Sequence, residues 1–348
     1  MLSALLLVAT APAAQAAPPP RPVVDLLNRI SGTATISGMH NKEPNSDPTR
    51  HTAKVHAITG RYPGLWGGDF LFAQDDVNHR QTMVDQAKTE WRNGSLVTLT
   101  WHVCPPTRPT ACGWDAGVQD DLTDAQWTQL ITNGTALNNA WKSRLDEIAP
   151  FLRQLLDAGV QPLFRPLHEM NDGWSWWGGR PGANGSRRLY QITYDHLVRA
   201  RGLTGMAWVW NVKDLDPAGI AAYYPGAAYA DVVSLDAWNS FWPSQTYYTT
   251  LKQIAAGKPL ALAEVGRVPS PQELAGQPDW TYFMAWPEFF DDKQLNPDTA
   301  VRATYHHPRV LNQGELTPNL AQDRPARSTA TESPAYPPTN AFDGKRAT

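Results

Sequence analysis

Eight short apolar runs recur along this chain, separated by helix-like or loop stretches, and that alternation limits the fold more than anything else in the sequence. The runs are Thr33 to His40, Gly64 to Phe70, Leu96 to Val103, Gln161 to Glu169, Gly205 to Val212, Asp231 to Trp238, Pro259 to Val265 and Thr281 to Phe289. Strands that read as apolar on both faces belong to parallel sheets covered by helices, and eight of them close into a barrel. The fold expected is therefore α/β, a (β/α)8 TIM barrel. The clearest intervening helix carries Trp141, Leu145, Ile148, Leu152, Leu155 and Leu156 at helical spacing and stops at Gly159. Further helices are expected around Thr49 to Thr59, Val77 to Arg92, Ser186 to Arg201, Ser244 to Ala256 and Asp298 to His306.

Length agrees with that reading, since 348 residues with 42% apolar content suit one barrel-sized core. A net charge of -3 with no long Lys/Arg run leaves no basic surface for a phosphate backbone, so nucleic acid is not an expected partner. Past the N-terminus no stretch offers the roughly 20 uninterrupted apolar residues of a membrane span. Fifteen tryptophans in a chain with 30 prolines and 25 glycines suggest loops that hold flat, amphipathic ligands on indole faces, and sugars fit that description.

The ends read differently from the middle. Residues 1–16 have an apolar run from Leu2 to Ala9 and a small-residue site at Ala14-Gln15-Ala16, the layout of an export signal. The alternative is an apolar N-terminal helix. Export implies a secreted, extracellular protein, and in that setting Cys104 and Cys112 read as a disulfide stapling one loop, with two free thiols as the other possibility. The catalytic barrel is expected over 17–316 and a Pro/Thr/Ser-rich linker over 317–325. A monomer is expected.

In a barrel of this kind the chemistry stands at the C-terminal ends of the strands. Those ends are Met39-His40-Asn41, Gly68-Asp69-Phe70, Trp101-His102, His168-Glu169, Trp210-Asn211, Asp236-Ala237-Trp238, Glu264 and Trp286. Glu169 and Glu264 thus cap the fourth and seventh strands and can face each other across one cleft. Glycoside cleavage requires such a pair, one acid to protonate the leaving oxygen and one carboxylate to attack carbon or activate water. A lone glutamate at a strand end is more often a salt-bridge or capping group, so the argument rests on the pair. Glu169 has to be protonated at working pH, which calls for an apolar wall or a negative neighbour; Trp174, Trp176 and Trp177 offer the first and Glu264 the second. His40, His51, His102 and His168 lack the short paired spacings of zinc sites, so no metal is expected. Asp236 and Arg165 read equally as buried hydrogen-bond partners.

The segment FRPLHEMNDGWSWW, with AEVG around Glu264 and the runs SGMHNKEPNSDP and PGLWGGDF, resembles the family-26 glycoside hydrolases, known chiefly as endo-β-1,4-mannanases. The resemblance covers most of 30–315. It implies that Glu169 is the proton donor and Glu264 the nucleophile of a retaining reaction without cofactor. It places His102, His168, Trp174, Asp236, Trp238, Trp286 and Arg165 in the substrate-binding set, with Arg165 holding the nucleophile in its charged form. Mannanases of the family generally carry Asp-x-Tyr on the sixth strand, the phenol touching the nucleophile; here Asp236-Ala237-Trp238 stands there, and an indole N–H donates but cannot accept. The segment 326–348, through AFDG at 341–344, resembles the opening of a discoidin-like carbohydrate-binding module, a β-sandwich of which only the start is present.

The expected function is therefore retaining, endo-acting hydrolysis of β-1,4-mannosidic bonds in a polysaccharide. β-1,3-Xylan and mixed-linkage β-glucan remain alternative substrates. A non-catalytic sugar-binding barrel is the rival of a different class, and the presence of both glutamates speaks against it.

Overall fold

The computed structural model describes residues 22–239 and 241–316. The expected signal (1–16), linker (317–325) and truncated module (326–348) lie outside those residues. Ten parallel strands are formed: β1 (Thr35–Ile36), β2 (Gly38–His40), β3 (Leu65–Asp69), β4 (Leu96–Trp101), β5 (Leu163–Pro166), β6 (Ala207–Lys213), β7 (Val232–Ala237), β8 (Leu260–Val265), β9 (Trp280–Ala285) and β10 (Val310–Leu311). Strands β2 to β9 follow one another around a ring that closes where Met39 of β2 pairs with Ala285 of β9. That is the closed eight-stranded barrel read from the sequence, with β1 and β10 as a short parallel annex at its N-terminal rim.

Strand limits differ from the expected ones for local reasons. The first run is broken at Ser37, whose N–H donates to Leu311 O and whose hydroxyl donates to Asn312 Oδ1, pulling it toward β10. The fourth ends at Pro166 because Leu167 and Glu169 adopt left-handed backbone at φ 55° and 48°. The eighth ends at Ala285, and Pro287–Phe290 turns into a helix instead of extending to Phe289, as proline at a first helical position favours. The helix expected over Val77 to Arg92 is divided at His79 into Gln74–Asn78 and Arg80–Arg92, and Ser186–Tyr194 widens into a π-helical turn over Asp195–Ala200.

The N-terminal helix α1 (Pro22–Ile30), absent from the sequence reading, explains why only one mouth of the barrel is open. Val23, Leu26, Leu27 and Ile30 fall on one helical face and pack against Ile36, Leu65, Leu96, Leu163, Val209 and Val232, the lower inward layer of the strands. The outward residues, such as Val97, Leu99, Phe164 and Trp208, join a larger core with the surrounding helices, including Trp141, Leu145, Ile148, Leu152 and Leu155 of the 22-residue helix Ala136–Asp157. With the lower mouth plugged by apolar side chains, polar inward residues can face solvent only at the C-terminal end. Among the described residues no helix is long and apolar enough to cross a membrane.

Candidate active site

Strand alternation decides which side chains reach the interior. On β5 Leu163 faces in, Phe164 out and Arg165 in; the same parity sends Asp69, Thr100, Asn211 and Asp236 inward above the apolar layer. Glu264 needs an additional device. Leu260 and Leu262 pack outward, so plain alternation would turn Glu264 toward the helices. The pairing with β7 shifts at that point: Leu235 stands opposite Leu262 but Asp236 opposite Glu264, leaving Ala263 as an extra residue. This bulge turns Glu264 into the barrel.

Glu169 arrives by a different route. Two left-handed residues bend the chain after β5 at a cost of about 1–3 kcal/mol each. The bend is held by the Trp177 indole, which donates to His168 O at 2.8 Å, and by Asn211, whose Oδ1 accepts from the Glu169 N–H at 2.7 Å. Asn211 in turn donates to Ser234 and to Asp236, so three strands fix the position of one carboxyl group.

A cleft of about 640 Å³ opens over this floor. Glu169, Glu264, His102, His168, Trp174, Trp238 and Trp286 all line it. Arg165 and Asp236 do not: both are fully buried beneath it. Arg165 donates to Asp236 at 2.7 Å, to Thr100 at 3.1 Å and to Glu264. Burial opposes the guanidinium charge, but Asp236 and Glu264 outweigh it and keep the group protonated. Burial raises the Asp236 carboxyl's affinity for a proton, and Arg165 opposes that.

One oxygen from each of Glu169, Asp236 and Glu264 lies within 4.8 Å of the others. Three carboxylates so close can ligate a cation, but here Arg165 bridges two of them and the Lys213 ammonium stands 3.5 Å from the third, supplying the positive charge from the chain itself. Burial, and then the charge of Glu264, push the Glu169 pKa up to about 7, against the pull of Lys213 and of two indoles. Those indoles bond both oxygens: Trp238 donates to Oε1 at 2.6 Å and Trp174 to Oε2 at 2.5 Å. The contact expected between the strand-six aromatic and the nucleophile is thus not made; Trp238 reaches the other carboxylate.

The histidines have separate duties. Asp69 bonds His102 Nδ1 at 2.5 Å, and although burial opposes the charge, the carboxylate raises that ring's pKa. His168, edge-on to His102 at 4.5 Å, is held neutral by burial and by the positive groups around it. His40 accepts from the Lys42 N–H and stacks beneath Trp286 at 4.5 Å. His51 is buried on the helix Arg50–Thr59, where its N–H donates to Asn41. Cys104 and Cys112 are joined in a disulfide at the base of the loop that carries Trp114, whose ring stacks on Trp174 at 5.3 Å.

Sequence reading passed over three contributors. Asp69 and Asn211 were visible as polar strand ends, but nothing in the pattern says that they support His102 and Glu169. Lys213 is the last residue of β6, one position beyond the expected strand, and it pairs with Asp172 at 2.8 Å as well as with Glu169.

Comparison with known proteins agrees with this architecture. A mannan endo-1,4-beta-mannosidase of Thermothelomyces thermophilus is 29% identical over 304 residues, which is 85% of this chain and 61% of that protein, so the chain spans less than two thirds of that relative. GH26A from Muricauda sp. superposes with a TM-score of 0.79 at 32% identity, covering 84% of this chain and 95% of the other. A beta-mannanase from a symbiotic protist of the termite Reticulitermes speratus, solved with a gluco-manno-oligosaccharide, gives 0.73 at 28% identity, covering 84% and 92%. The sequence profile of glycosyl hydrolase family 26 matches residues 12–315, and the chain belongs to that family.

Proposed function

We propose that this chain is a retaining endo-β-1,4-mannanase acting on mannan-type polysaccharides, with Glu169 as acid/base and Glu264 as nucleophile. The observation that carries the reading is the carboxylate pair itself: oxygens within 4.8 Å, one group with its pKa pushed up to about 7 and the other facing Arg165. Retaining hydrolases keep their carboxyl groups about 5–5.5 Å apart, whereas inverting ones leave roughly 6.5–9.5 Å for a water.

In the first step a Glu264 oxygen bonds to the anomeric carbon while the bond to the glycosidic oxygen breaks; that oxygen keeps the electron pair and takes the proton of Glu169. In the second, water gives its proton to Glu169 and its oxygen to the anomeric carbon, and Glu264 leaves. Trp286, set on His40, offers the face on which the sugar at the cleavage point stacks. Trp174 and Trp114 extend an indole wall along the cleft. Mannan as the polymer is supported by the names of the relatives. Action outside the cell, as a monomer, is proposed with it; the disulfide favours an oxidising compartment.

The test measures reducing-sugar release from mannan, glucomannan, β-1,3-xylan and mixed-linkage β-glucan by the parent, Glu169→Gln and Glu264→Gln, with product configuration read by NMR. Mannan cleaved with retention, and lost in Glu264→Gln, is the expected result. Binding without turnover on every polymer would leave a sugar-binding barrel, and cleavage confined to xylan or glucan would replace the substrate.

A further inference from the structure

Glu169 is surrounded by groups that can only donate. Trp238 bonds Oε1, Trp174 bonds Oε2, and Lys213 stands beside Oε2. Indole N–H and ammonium have no lone pair to offer a hydroxyl hydrogen, so all three favour the carboxylate over the carboxylic acid that cleavage of the glycosidic bond requires. Each carboxyl oxygen has two lone pairs, so Oε1, with one donor, keeps a place for the proton, whereas Oε2 faces two donors.

Trp238 is also the less confined of the two indoles. The Trp174 ring is wedged between Trp114 and Trp177, both at 5.3 Å, with His168 at 5.6 Å and His102 at 6.0 Å. Trp238 meets only Phe289 at 5.3 Å and, edge-on, Trp286 at 6.1 Å among the described rings. Its backbone N–H donates to Asp214 at 3.0 Å, which fixes the main chain from which the ring reaches Oε1.

We propose that Trp238 is a positioning residue for proton transfer: its indole N–H takes one lone pair of Oε1, turns the other toward the glycosidic bond, and loosens when Oε1 carries the proton. The proposal rests on the reading of Glu169 as acid/base. The cycle balances: water supplies the proton to Oε1 as the glycosyl bond to Glu264 breaks, and the next glycosidic oxygen removes it. The other charged groups facing Glu169 are Glu264 from β8, Asp236 from β7, Arg165 from β5 and Lys213 from β6, with neutral His168 in its own segment and Asp172 on the far side of Lys213. None of these donates to Oε1, so the orientation of that oxygen falls to Trp238.

The test is the pH profile of Trp238→Phe, which retains a ring against Phe289 and Trp286 and deletes only the donor. Activity falls on the basic side as Glu169 loses its proton. Removing a donor to the charged form favours the protonated form, so that limb of kcat/KM moves upward by about one pH unit, with KM little changed. An unmoved limb with raised KM would overturn the proposal, leaving Trp238 as a wall for sugar. A second measurement needs no activity of the variant: in the folded parent the Trp238 indole proton resonance moves upfield as pH falls through the same limb. A resonance indifferent to pH there sinks the idea. Glu169→Gln, measured alongside, separates the two claims. If it keeps parental turnover on polysaccharide, the acid/base reading fails; if it is inactive while the Trp238→Phe limb stays put, only this inference fails.

Discussion

Replacing Arg165 by Met removes the cation on which the cleft floor is built. Met preserves most of the side-chain volume, so the loss is electrostatic: Asp236 and Glu264, both buried, are left facing each other with Glu169 close by. Breaking a buried pair by deleting one partner costs about 3–5 kcal/mol, because the remaining charge has neither water nor counterion. That is the expected deficit at pH 7 by urea denaturation. The sign of its pH dependence follows from linkage. In the variant, burial no longer opposed by Arg165 raises the folded-state pKa of Asp236 further above the unfolded value near 4, so between the two the folded chain binds more protons. The deficit is therefore full above the raised pKa and shrinks as pH falls toward about 4. Denaturation of parent and variant at pH 7 and at pH 4.5 checks this. A deficit under about 1 kcal/mol at pH 7, or one equal at both pH values, refutes the reasoning. Activity should fall by about a hundredfold or more, because Glu264 loses its hydrogen-bond donor and counter-charge. Asp236→Asn added to Arg165→Met should restore about 1–3 kcal/mol, since it removes one of the stranded charges.

Three further outcomes follow from the site. Lys213→Met deletes the half-buried ammonium near Glu169, so the basic limb of the pH profile should move up by about half a unit, measured on kcat/KM. Asp69→Asn leaves burial of His102 unopposed, so the ring's pKa, followed by NMR, should drop below its ordinary value. In the parent, the contribution of this raised His102 to stability is full below about 6.5 and is lost as pH rises through the folded pKa; the Asn variant should therefore lose about 1.5–3 kcal/mol at pH 5 and less at pH 9. Cys104→Ser opens an eight-residue loop closure and should cost about 2–3 kcal/mol by the chain-entropy argument, with a raised KM as the Trp114 loop loosens and kcat largely kept.

The barrel was legible because parallel strands covered by helices must be apolar on both faces, and the lower halves of the runs at Leu65, Leu96, Val233 and Leu260 satisfy that. What escaped was set by contacts remote in sequence or by rare backbone. The helix Pro22–Ile30 carries its apolar residues at helical spacing, yet it lies in the expected barrel region ahead of the first strand, where no helix was marked. The helix Asp124–Ile131, not marked in the sequence reading, begins at a capping box, Thr123 with Gln126. The ends of the fourth and eighth strands depended on left-handed residues at 167 and 169 and on Pro287; the proline was readable, whereas left-handed backbone at Leu or Glu has no sequence signal.

The two carboxylates show the same division between what composition carries and what geometry adds. Their presence at strand ends was visible, but the parity of LALAEV, read plainly, sends Glu264 outward with Leu260 and Leu262; only the bulge at Ala263 makes the pair real. A bulge is a relation between neighbouring strands, and one strand's sequence does not contain it. The same is true of Trp238. Counting along the sixth strand puts its ring at the cleft mouth, where the family pattern leads one to expect contact with the nucleophile. With the backbone fixed by Asp214, the indole N–H falls on Glu169 instead. A residue type that changes which of two opposed carboxylates is bonded changes the balance between acid and nucleophile, and an indole N–H, able to donate but not to accept, favours the charged form of the one it reaches.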